Sequence, residues 1–568
     1  MRSLGRVGLF ACHFRNKALE KSVYSYKNKR ILIVDDQRAF QVMLKAMLTN
    51  LGAKHIFFAD TAETAVKQCR DNKFDLLLVD YNLGSGKNGR QLLEYLRNND
   101  LVPKHAIFFI VTGDNSRSMV LTALELEPDD YIMKPFSHNQ LDTRVQRCFR
   151  KKNELTDVFN ALRSKDYAQT ALSCREQLKK DTRYKNFCRN LLAEMLIRTE
   201  DYDAAQALLE SIVKEREFTW ANITLGKVYF LQKQLDKAIG VLERVIKTNS
   251  LMIEAYEWLG RAYEEKGQAE KALTIVTRAA ELAYHNVDRH KLLARIATEV
   301  EEFDVAKDSY GAILQLSRNS FYPAPAHLAN YVRSIITAAK HAEDPVRRNR
   351  ILQDVHSALF KGRHEEGQEE DFDFDIFEGI CHARVHEAKG EMLKAKRTLL
   401  QSLAPILEHH DEAGTPILSE SVFALAGIGE FEYAEEMLET LANRDVMDEV
   451  TSNALKETQQ GEQKKIMDEF KSLNAMGKKA YDHQDFEAAK SYFTRALKKA
   501  PMNSGAAINK LQATLKLLTQ AKRFNQNLAD EAEDCISILE GVPLSQTHRE
   551  RFLQLKEDYR QATRPTKK

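Results

Sequence analysis

The N-terminal part of the chain contains four short apolar runs, and each run stops at polar residues. The runs I-L-I-V, L-L-L-V, I-F-F-I-V and Y-I-M precede Asp35-Asp36, Asp80, Thr112 and Lys134, in that order. Runs so rich in Ile, Val, Leu and Phe are typical of parallel strands that are buried on both faces of a sheet. Because the carboxyl ends of such strands form the crevice of an open α/β sheet, we expect these polar side chains to converge on one edge.

The types of residue that converge there indicate a particular chemistry. Carboxylates bind Mg²⁺, which prefers oxygen ligands and associates with phosphates, and a lysine neutralises phosphoryl oxygens as a point charge. Three carboxylates, one hydroxyl and one ammonium group therefore predict a site that moves a phosphoryl group onto a carboxylate.

On these residues, positions 28–150 resemble the receiver domain of response regulators, the phospho-acceptor half of two-component signalling. The resemblance implies an α/β fold of the flavodoxin-like type, with a doubly wound parallel sheet of about five strands. It implies that Asp80 is the phosphorylated residue and that Asp35 and Asp36 hold Mg²⁺ together with Asp80. It also implies that Asn82 gives the metal its backbone carbonyl.

The other matching positions concern the transfer and the response to it. Thr112 matches the switch hydroxyl of the family and Lys134 its lysine, and both would act with Asp80 in the transfer. Tyr131 matches the aromatic residue that turns inward when the threonine engages the phosphate. The resemblance implies a histidine kinase or a phosphotransfer protein as phosphodonor, and it allows a homodimer through the receiver.

After residue 150 the pattern changes to amphipathic helices that recur with a fixed period. Gly226 and Gly260 are 34 residues apart in matching surroundings, and residues 476–501 contain the clearest further copy. Residues 166–172 suggest a first, degenerate unit directly after the receiver. These units resemble the tetratricopeptide repeat, a helix–turn–helix unit. Because one unit cannot bury its apolar face, the resemblance implies an all-α solenoid of stacked units.

The repeat pattern also predicts how the paired helices pack. Small residues such as Gly226 and Gly477 are expected where two helices cross closely, and Leu242 and Phe493 are expected to fill the space beside them. The whole chain is therefore predicted to be multidomain. Its expected segments are a disordered basic tail (1–27), the receiver (28–150), tetratricopeptide repeats (151–320), degenerate repeats with an acidic loop (321–462), a further repeat (463–501) and capping helices (502–568).

Charge and hydropathy argue against several classes of protein. The net charge is +2 at pH 7, and the basic residues of 163–568 are interleaved with acids, whereas a nucleic-acid-binding face needs a basic stripe. No apolar run reaches the roughly 18 residues of a membrane span. A receiver domain needs cytoplasmic phosphodonors, so we expect a cytoplasmic protein.

No recognisable output module follows the receiver. The sequence lacks a helix-turn-helix with a basic recognition helix, a cyclic-dinucleotide motif and a P-loop. We therefore expect no enzyme activity beyond self-phosphorylation and dephosphorylation of the receiver. The leading hypothesis is a signalling adaptor whose solenoid binds a protein partner under the control of Asp80. The alternative is a regulator that blocks or drains phosphotransfer between a kinase and another response regulator. A transcription factor with an unrecognised DNA-binding module is a third reading.

Overall fold

The computed structural model describes residues 25–84, 86–102, 106–113, 128–180, 182–318, 321, 325–365, 372–407, 409–444, 448–521 and 524–563. The chain divides into two compact units. The first runs to Val300 and includes 319–322, and the second comprises Glu301–Arg318 and the chain from Pro323 onward. Residues 1–24 of the predicted tail and 366–371 of the acidic stretch lie outside the described residues.

The first unit begins with a parallel sheet flanked by helices. Its five strands pair in the order β2-β1-β3-β4-β5, all parallel. The strands are β1 (Arg30–Val34), β2 (His55–Ala59), β3 (Leu76–Asp80), β4 (Ile107–Thr112) and β5 (Asp130–Met133), and the described helices around them are α1 (Arg38–Asn50), α2 (Ala62–Asp71), α3 (Gly89–Asn98) and α4 (His138–Glu154). The predicted five-stranded, doubly wound sheet is thus confirmed.

The three central strands, β1, β3 and β4, are buried on both faces because they are apolar at successive positions. Leu32 and Val34 of β1 join an apolar cluster with side chains of α2 and α3. Ile31 and Ile33, which point to the opposite face, join a second cluster with side chains of α1 and α4. The two clusters pack against opposite faces of the strands whose carboxyl ends carry the polar residues.

The rest of the described chain is helical, as the repeat pattern predicted. The first unit continues with α5 (Thr156–Arg163), α6 (Tyr167–Lys179), α7 (Lys185–Arg198), α8 (Tyr202–Glu215), α9 (Thr219–Leu231), α10 (Leu235–Thr248), α11 (Ile253–Glu265), α12 (Ala269–Leu282) and α13 (Val287–Glu299). The second unit contains α14 (Phe303–Arg318), α15 (Pro325–Lys340), α16 (Pro345–Glu365), α17 (Phe374–Ala388), α18 (Met392–Leu403), α19 (Thr415–Ile428), α20 (Phe431–Ala442), α21 (Glu449–Gln460), α22 (Glu462–Asp482), α23 (Phe486–Lys499), α24 (Ser504–Gln520), α25 (Gln526–Leu539) and α26 (Gln546–Thr563). None of the described helices is long and apolar enough to cross a membrane.

The turns inside the helix pairs of the first unit share one backbone conformation. One residue in each turn has a positive φ, and these residues recur at intervals of 33–35 positions, as Lys165, Glu200, Lys233 and Gly267. The next N–H donates to the carbonyl five residues earlier, for example Gln234 N to Tyr229 O at 2.8 Å, which is the hydrogen bond of a Schellman helix end. Lys165 lies in the turn between α5 and α6, so these two helices form the first pair of the series. The helix pairs therefore begin directly after the sheet domain.

The predicted glycine contacts are present where paired helices cross. A Cβ atom at Gly226 would lie 2.6 Å from Cγ of Leu242, and one at Gly477 would lie 2.5 Å from Cε1 of Phe493. Leu242 and Phe493 are fully buried. The close approach of the two helices therefore depends on the missing side chain of the glycine.

Candidate functional site

The polar residues that follow the apolar runs lie at one edge of the sheet. Asp35 directly follows β1, Asp80 ends β3, Thr112 ends β4 and Lys134 directly follows β5. The strand register pairs Asp80 with Val111 and Thr112 with Met133, so the ends of these strands are level. The sheet thus brings together the side chains that the sequence placed at strand ends.

Lys134 is the centre of the polar contacts at this edge. Its Nζ atom donates to Oδ2 of Asp35 and to Oδ2 of Asp80, each at 2.8 Å. Asp35 and Asp80 are 1% and 5% exposed, so both ion pairs are largely removed from water. A shared lysine keeps two buried carboxylates side by side without leaving either of them unpaired.

The carboxylates form a set of oxygen donors suited to a hard cation. Ligand atoms of Asp35, Asp36 and Asp80 all lie within 4.8 Å of one another, and Asp36 is exposed while the other two are buried. Such a group fits Mg²⁺, which binds through one or a few carboxylates and keeps several waters. No second group of three potential metal-ligating side chains occurs in the part of the chain that the structure describes.

Burial changes the acidity of the proposed acceptor. The pKa of the Asp80 carboxyl group is raised above its ordinary value, first because burial disfavours the charged form and then because the Asp35 carboxylate repels it. Lys134 acts in the opposite direction, through its hydrogen bond and its charge. The N–H of Asn82 donates to Oδ1 of Asp80 at 3.4 Å, which also favours the charged form. The role predicted for the Asn82 carbonyl stays a prediction.

The two residues predicted to sense the phosphate occupy the neighbouring strands. Thr112 is buried, with 2% of its surface exposed. The ring of Tyr131 is half-buried and packs against the apolar cluster formed with α2 and α3. Gly113 is exposed beside Lys134, and a Cβ atom there would lie 3.9 Å from Cδ of the lysine. Gly113 therefore places no side chain against Lys134.

Two residues that support the site were missed by sequence reasoning. The amide of Gln41 donates to the carbonyl of Asp35 at 2.6 Å and to Oδ1 of Asp60 at 2.7 Å, so α1 is bound to the end of β1. A Cβ atom at Gly89 would overlap the Asp80 carbonyl and lie 3.0 Å from Cγ1 of Val79. The sequence Asn88-Gly89 could have indicated this glycine, because Asn88 caps the start of α3. No comparable signal pointed to Gln41.

The comparisons with known proteins agree with this geometry. The family model of the response regulator receiver domain matches residues 31–146, and two tetratricopeptide repeat models match 196–250 and 253–286. The chemotaxis protein CheY of Pseudomonas aeruginosa is 30% identical over 124 residues, which cover 22% of this chain and 98% of that protein. The transcriptional regulatory protein YvrH of Bacillus subtilis is 35% identical over 125 residues, covering 22% of this chain and 51% of that protein.

A comparison with solved structures also finds receiver domains. A CheY-like response regulator receiver domain protein from Methanospirillum hungatei JF-1 is 29% identical, and the match covers 22% of this chain and 97% of that one with a TM-score of 0.21. The family models match where the sequence predicted the sheet domain and the regular repeats.

Proposed function

Because the chain belongs to the response regulators, with a receiver domain at its N-terminus and tetratricopeptide repeats behind it, we propose that it is a phosphorylation-controlled adaptor of a two-component phosphorelay. Asp80 accepts a phosphoryl group from a histidine kinase or a phosphotransfer protein, and the repeats bind a protein partner. The observation that carries the first half of this proposal is the buried pair of carboxylates, Asp35 and Asp80, joined by Lys134.

The chemistry proposed for the site uses these side chains in distinct roles. An oxygen of Asp80 attacks the phosphorus of a phosphohistidine, the new P–O bond forms as the P–N bond breaks, and the nitrogen keeps the electron pair. Lys134, which already contacts Asp80, neutralises charge on the phosphoryl oxygens. Mg²⁺ held by Asp35, Asp36 and Asp80 would offset the repulsion between donor and acceptor. Thr112 then donates to the phosphoryl group.

Labelling with a small phosphodonor tests the site. Purified full-length protein incubated with acetyl phosphate and Mg²⁺ should form an acid-stable, base-labile acyl phosphate, which intact mass spectrometry detects. Asp80→Ala should reduce the label to background, and chelation of Mg²⁺ should do the same because repulsion is then not offset. Asp71→Ala, an exposed carboxylate on α2, is the matched control and should label normally. Undiminished labelling of Asp80→Ala would refute the assignment.

An aromatic and charged cluster on the first helices of three consecutive pairs supports the second half of the proposal. The ring of Trp258 on α11 lies 4.9 Å from Cζ of Arg261 and 5.5 Å from Nζ of Lys227 on α9. Lys227 in turn pairs with Glu194 on α7, with 3.0 Å between Nζ and Oε2. Tryptophan and arginine at one surface are typical of residues that dominate binding energy in protein interfaces.

Affinity capture separates the adaptor from the alternative. The baits are the full-length protein and its variants Asp80→Ala and Trp258→Ala. Each bait is used with and without beryllium fluoride, which mimics the aspartyl phosphate. An adaptor should retain a partner that is neither a kinase nor a response regulator, in amounts that depend on Asp80 and on Trp258. Retention of kinases or response regulators alone would favour the regulator that blocks or drains phosphotransfer.

The remaining parts of the proposal follow from the same assignment. We infer no enzyme activity beyond phosphorylation and dephosphorylation of Asp80, a cytoplasmic location where phosphodonors are available, and no nucleic-acid partner. A homodimer through the receiver stays a prediction. The balanced charge of the chain, 84 Lys and Arg against 82 Asp and Glu, supports a protein ligand over a polyanion.

A further inference from the structure

Phe40 covers the lysine of the site with its aromatic ring. The ring centroid lies 3.8 Å from Nζ of Lys134, which is well inside the roughly 6 Å limit for an attractive cation–π contact. Phe40 belongs to the first turn of α1 and is half-buried. Its ring also meets the ring of Phe136 edge-on, with 6.0 Å between centroids.

The hydrogen bonds of Lys134 show what the ring adds. An ammonium group has three donors and no acceptor, and two of these donors go to Asp35 and Asp80. The ring of Phe40 lies against a further side of the same nitrogen. That side of the ammonium group is therefore covered by a surface that attracts positive charge and excludes water, but that offers no carboxylate or carbonyl oxygen as a competing acceptor.

The residues that flank Phe40 are hydrogen-bonded to Asp35 of the site. The N–H of Gln37 donates to Oδ1 of Asp35 at 2.8 Å, and the amide of Gln41 donates to the Asp35 carbonyl at 2.6 Å. The start of α1 is thus bound to Asp35 on either side of Phe40, to its carboxylate through Gln37 and to its backbone carbonyl through Gln41. A ring held in this way can orient the lysine, whereas a mobile ring could only shield it.

We propose that Phe40 is a positioning residue for phosphoryl transfer to Asp80, and that it acts through Lys134. This inference rests on the proposed function. During transfer from acetyl phosphate, a P–O bond forms to Asp80, the bond between phosphorus and the acetyl oxygen breaks, and acetate leaves with the electron pair. Lys134 must then redirect a donor from a carboxylate to a phosphoryl oxygen. The ring keeps the ammonium group in place during this exchange.

Three variants of the full-length protein test the proposal by their labelling rates with acetyl phosphate. Phe40→Leu keeps apolar volume but removes the aromatic face, and it should slow labelling by about 3- to 30-fold, the range that corresponds to one cation–π contact. Phe40→Trp restores an aromatic face and should label at close to the wild-type rate. Phe58→Leu is the matched control, because Phe58 lies 5.9 Å from the ammonium group of Lys45; it should label like the wild type.

Fluorescence gives a readout that does not depend on turnover. The two tryptophans of the chain, Trp220 and Trp258, lie outside the receiver, so Phe40→Trp adds one emitter beside Lys134. Beryllium fluoride should change its emission as the ammonium group is redirected, and Lys134→Ala in the same chain should abolish that change.

The outcomes separate the inference from the function on which it rests. If the wild type is not labelled, the proposed function fails. If the wild type and Phe40→Leu are labelled equally fast, only the role of Phe40 is overturned. The same holds if Phe40→Trp is labelled as slowly as Phe40→Leu although the Tm of Phe40→Trp is unchanged. If Phe40→Leu does not fold, the emission of Phe40→Trp decides, and a response that persists without Lys134 contradicts the proposal.

Discussion

At the scale of single residues, Asp80 is subject to opposing electrostatic influences. Burial and the Asp35 carboxylate raise its pKa, and the hydrogen bond and charge of Lys134 lower it, with a net rise above the ordinary value of 3.8. Folding therefore shifts the equilibrium of this group towards its protonated form. A nucleophile must be charged to attack phosphorus, so the fold accepts a cost in stability at neutral pH to keep the acceptor in place.

This balance predicts how the stability of the metal-free protein depends on pH. Because the folded-state pKa of Asp80 is raised, its contribution to stability is present below about 3.8 and is lost as the pH rises through the higher folded-state pKa. Asp80→Asn removes the charge and should raise Tm at pH 7. The gain should shrink as the pH approaches 3.8.

Differential scanning calorimetry with a chelator, from pH 4 upward, measures this dependence. Asp71→Asn changes an exposed carboxylate of the same domain and should leave Tm nearly unchanged. A lower Tm for Asp80→Asn at pH 7 would mean that the ion pair with Lys134 outweighs burial, contrary to the raised pKa.

The site residues differ in how far the sequence alone predicts them. Four site residues stand at the ends of apolar runs, namely Asp35, Asp80, Thr112 and Lys134. A parallel sheet brings such ends together at one edge. Phe40 gives no such signal, because its contact with Lys134 depends on how the first turn of α1 is held. That turn is set by hydrogen bonds of Gln41 that no periodicity encodes.

At the scale of elements, the helix pairs are held by close contacts at glycines. Gly226 on α9 faces Leu242 on α10 so closely that a methyl group would have to displace the branched end of the leucine. Gly240, also on α10, has no neighbouring atom within 4 Å of the position of an added Cβ. A substitution at Gly226 therefore tests the packing between the helices, whereas one at Gly240 tests only the effect of glycine on the helix backbone.

Replacing each glycine with alanine should therefore change stability in opposite directions. Gly226→Ala should lower the free energy of unfolding by about 1–3 kcal/mol, because it overpacks the crossing. Gly240→Ala should raise it by about 0.5–1 kcal/mol, because alanine restricts the unfolded chain and favours the helix. Urea unfolding followed by circular dichroism at 222 nm measures both changes. Equal effects of the two substitutions would contradict the packing role of Gly226.

The second unit contains a buried ionic contact that joins elements distant in sequence. Lys396 on α18 is 0% exposed, and its ammonium group lies 2.9 Å from Oε1 of Glu430. It also donates to the Met502 carbonyl at 2.6 Å and to the Ser504 hydroxyl at 2.8 Å. All three donors of the ammonium group therefore have partners, so its burial is compensated.

Loss of this lysine should be costly because its partner would stay buried. Lys396→Met should lower the free energy of unfolding by about 3–5 kcal/mol, the range for breaking a buried pair. Lys394→Met, two residues away, removes a surface pair with Glu391 and should change it by less than about 1 kcal/mol. Chemical denaturation of both variants gives the comparison, and the second substitution Glu430→Gln should recover part of the loss. Similar small effects at both positions would argue against the ionic contact.

At the scale of the whole molecule, the central question is whether the receiver controls the repeats. The helix pairs begin at α5, directly after the last helix of the receiver, and the first compact unit contains both the receiver and the repeats up to Val300. A shared compact unit offers a route by which a change at Asp80 can reach the repeats. Coupling of this kind is a free energy, typically about 1–3 kcal/mol, or about 5- to 150-fold in an equilibrium constant.

Hydrogen exchange in the full-length protein measures this coupling without a known partner. Binding of beryllium fluoride with Mg²⁺ should change amide protection in the repeats of the first unit, beyond residue 155, by a factor within about 5- to 150-fold. Asp80→Ala should abolish the change. Tyr131→Ala should reduce it while Asp80 is still labelled by acetyl phosphate, because the aromatic ring reports the phosphate and does not hold it. If the change is confined to residues 28–150, the receiver does not control the repeats. The better hypothesis would then be that the protein blocks or drains phosphotransfer through its receiver alone.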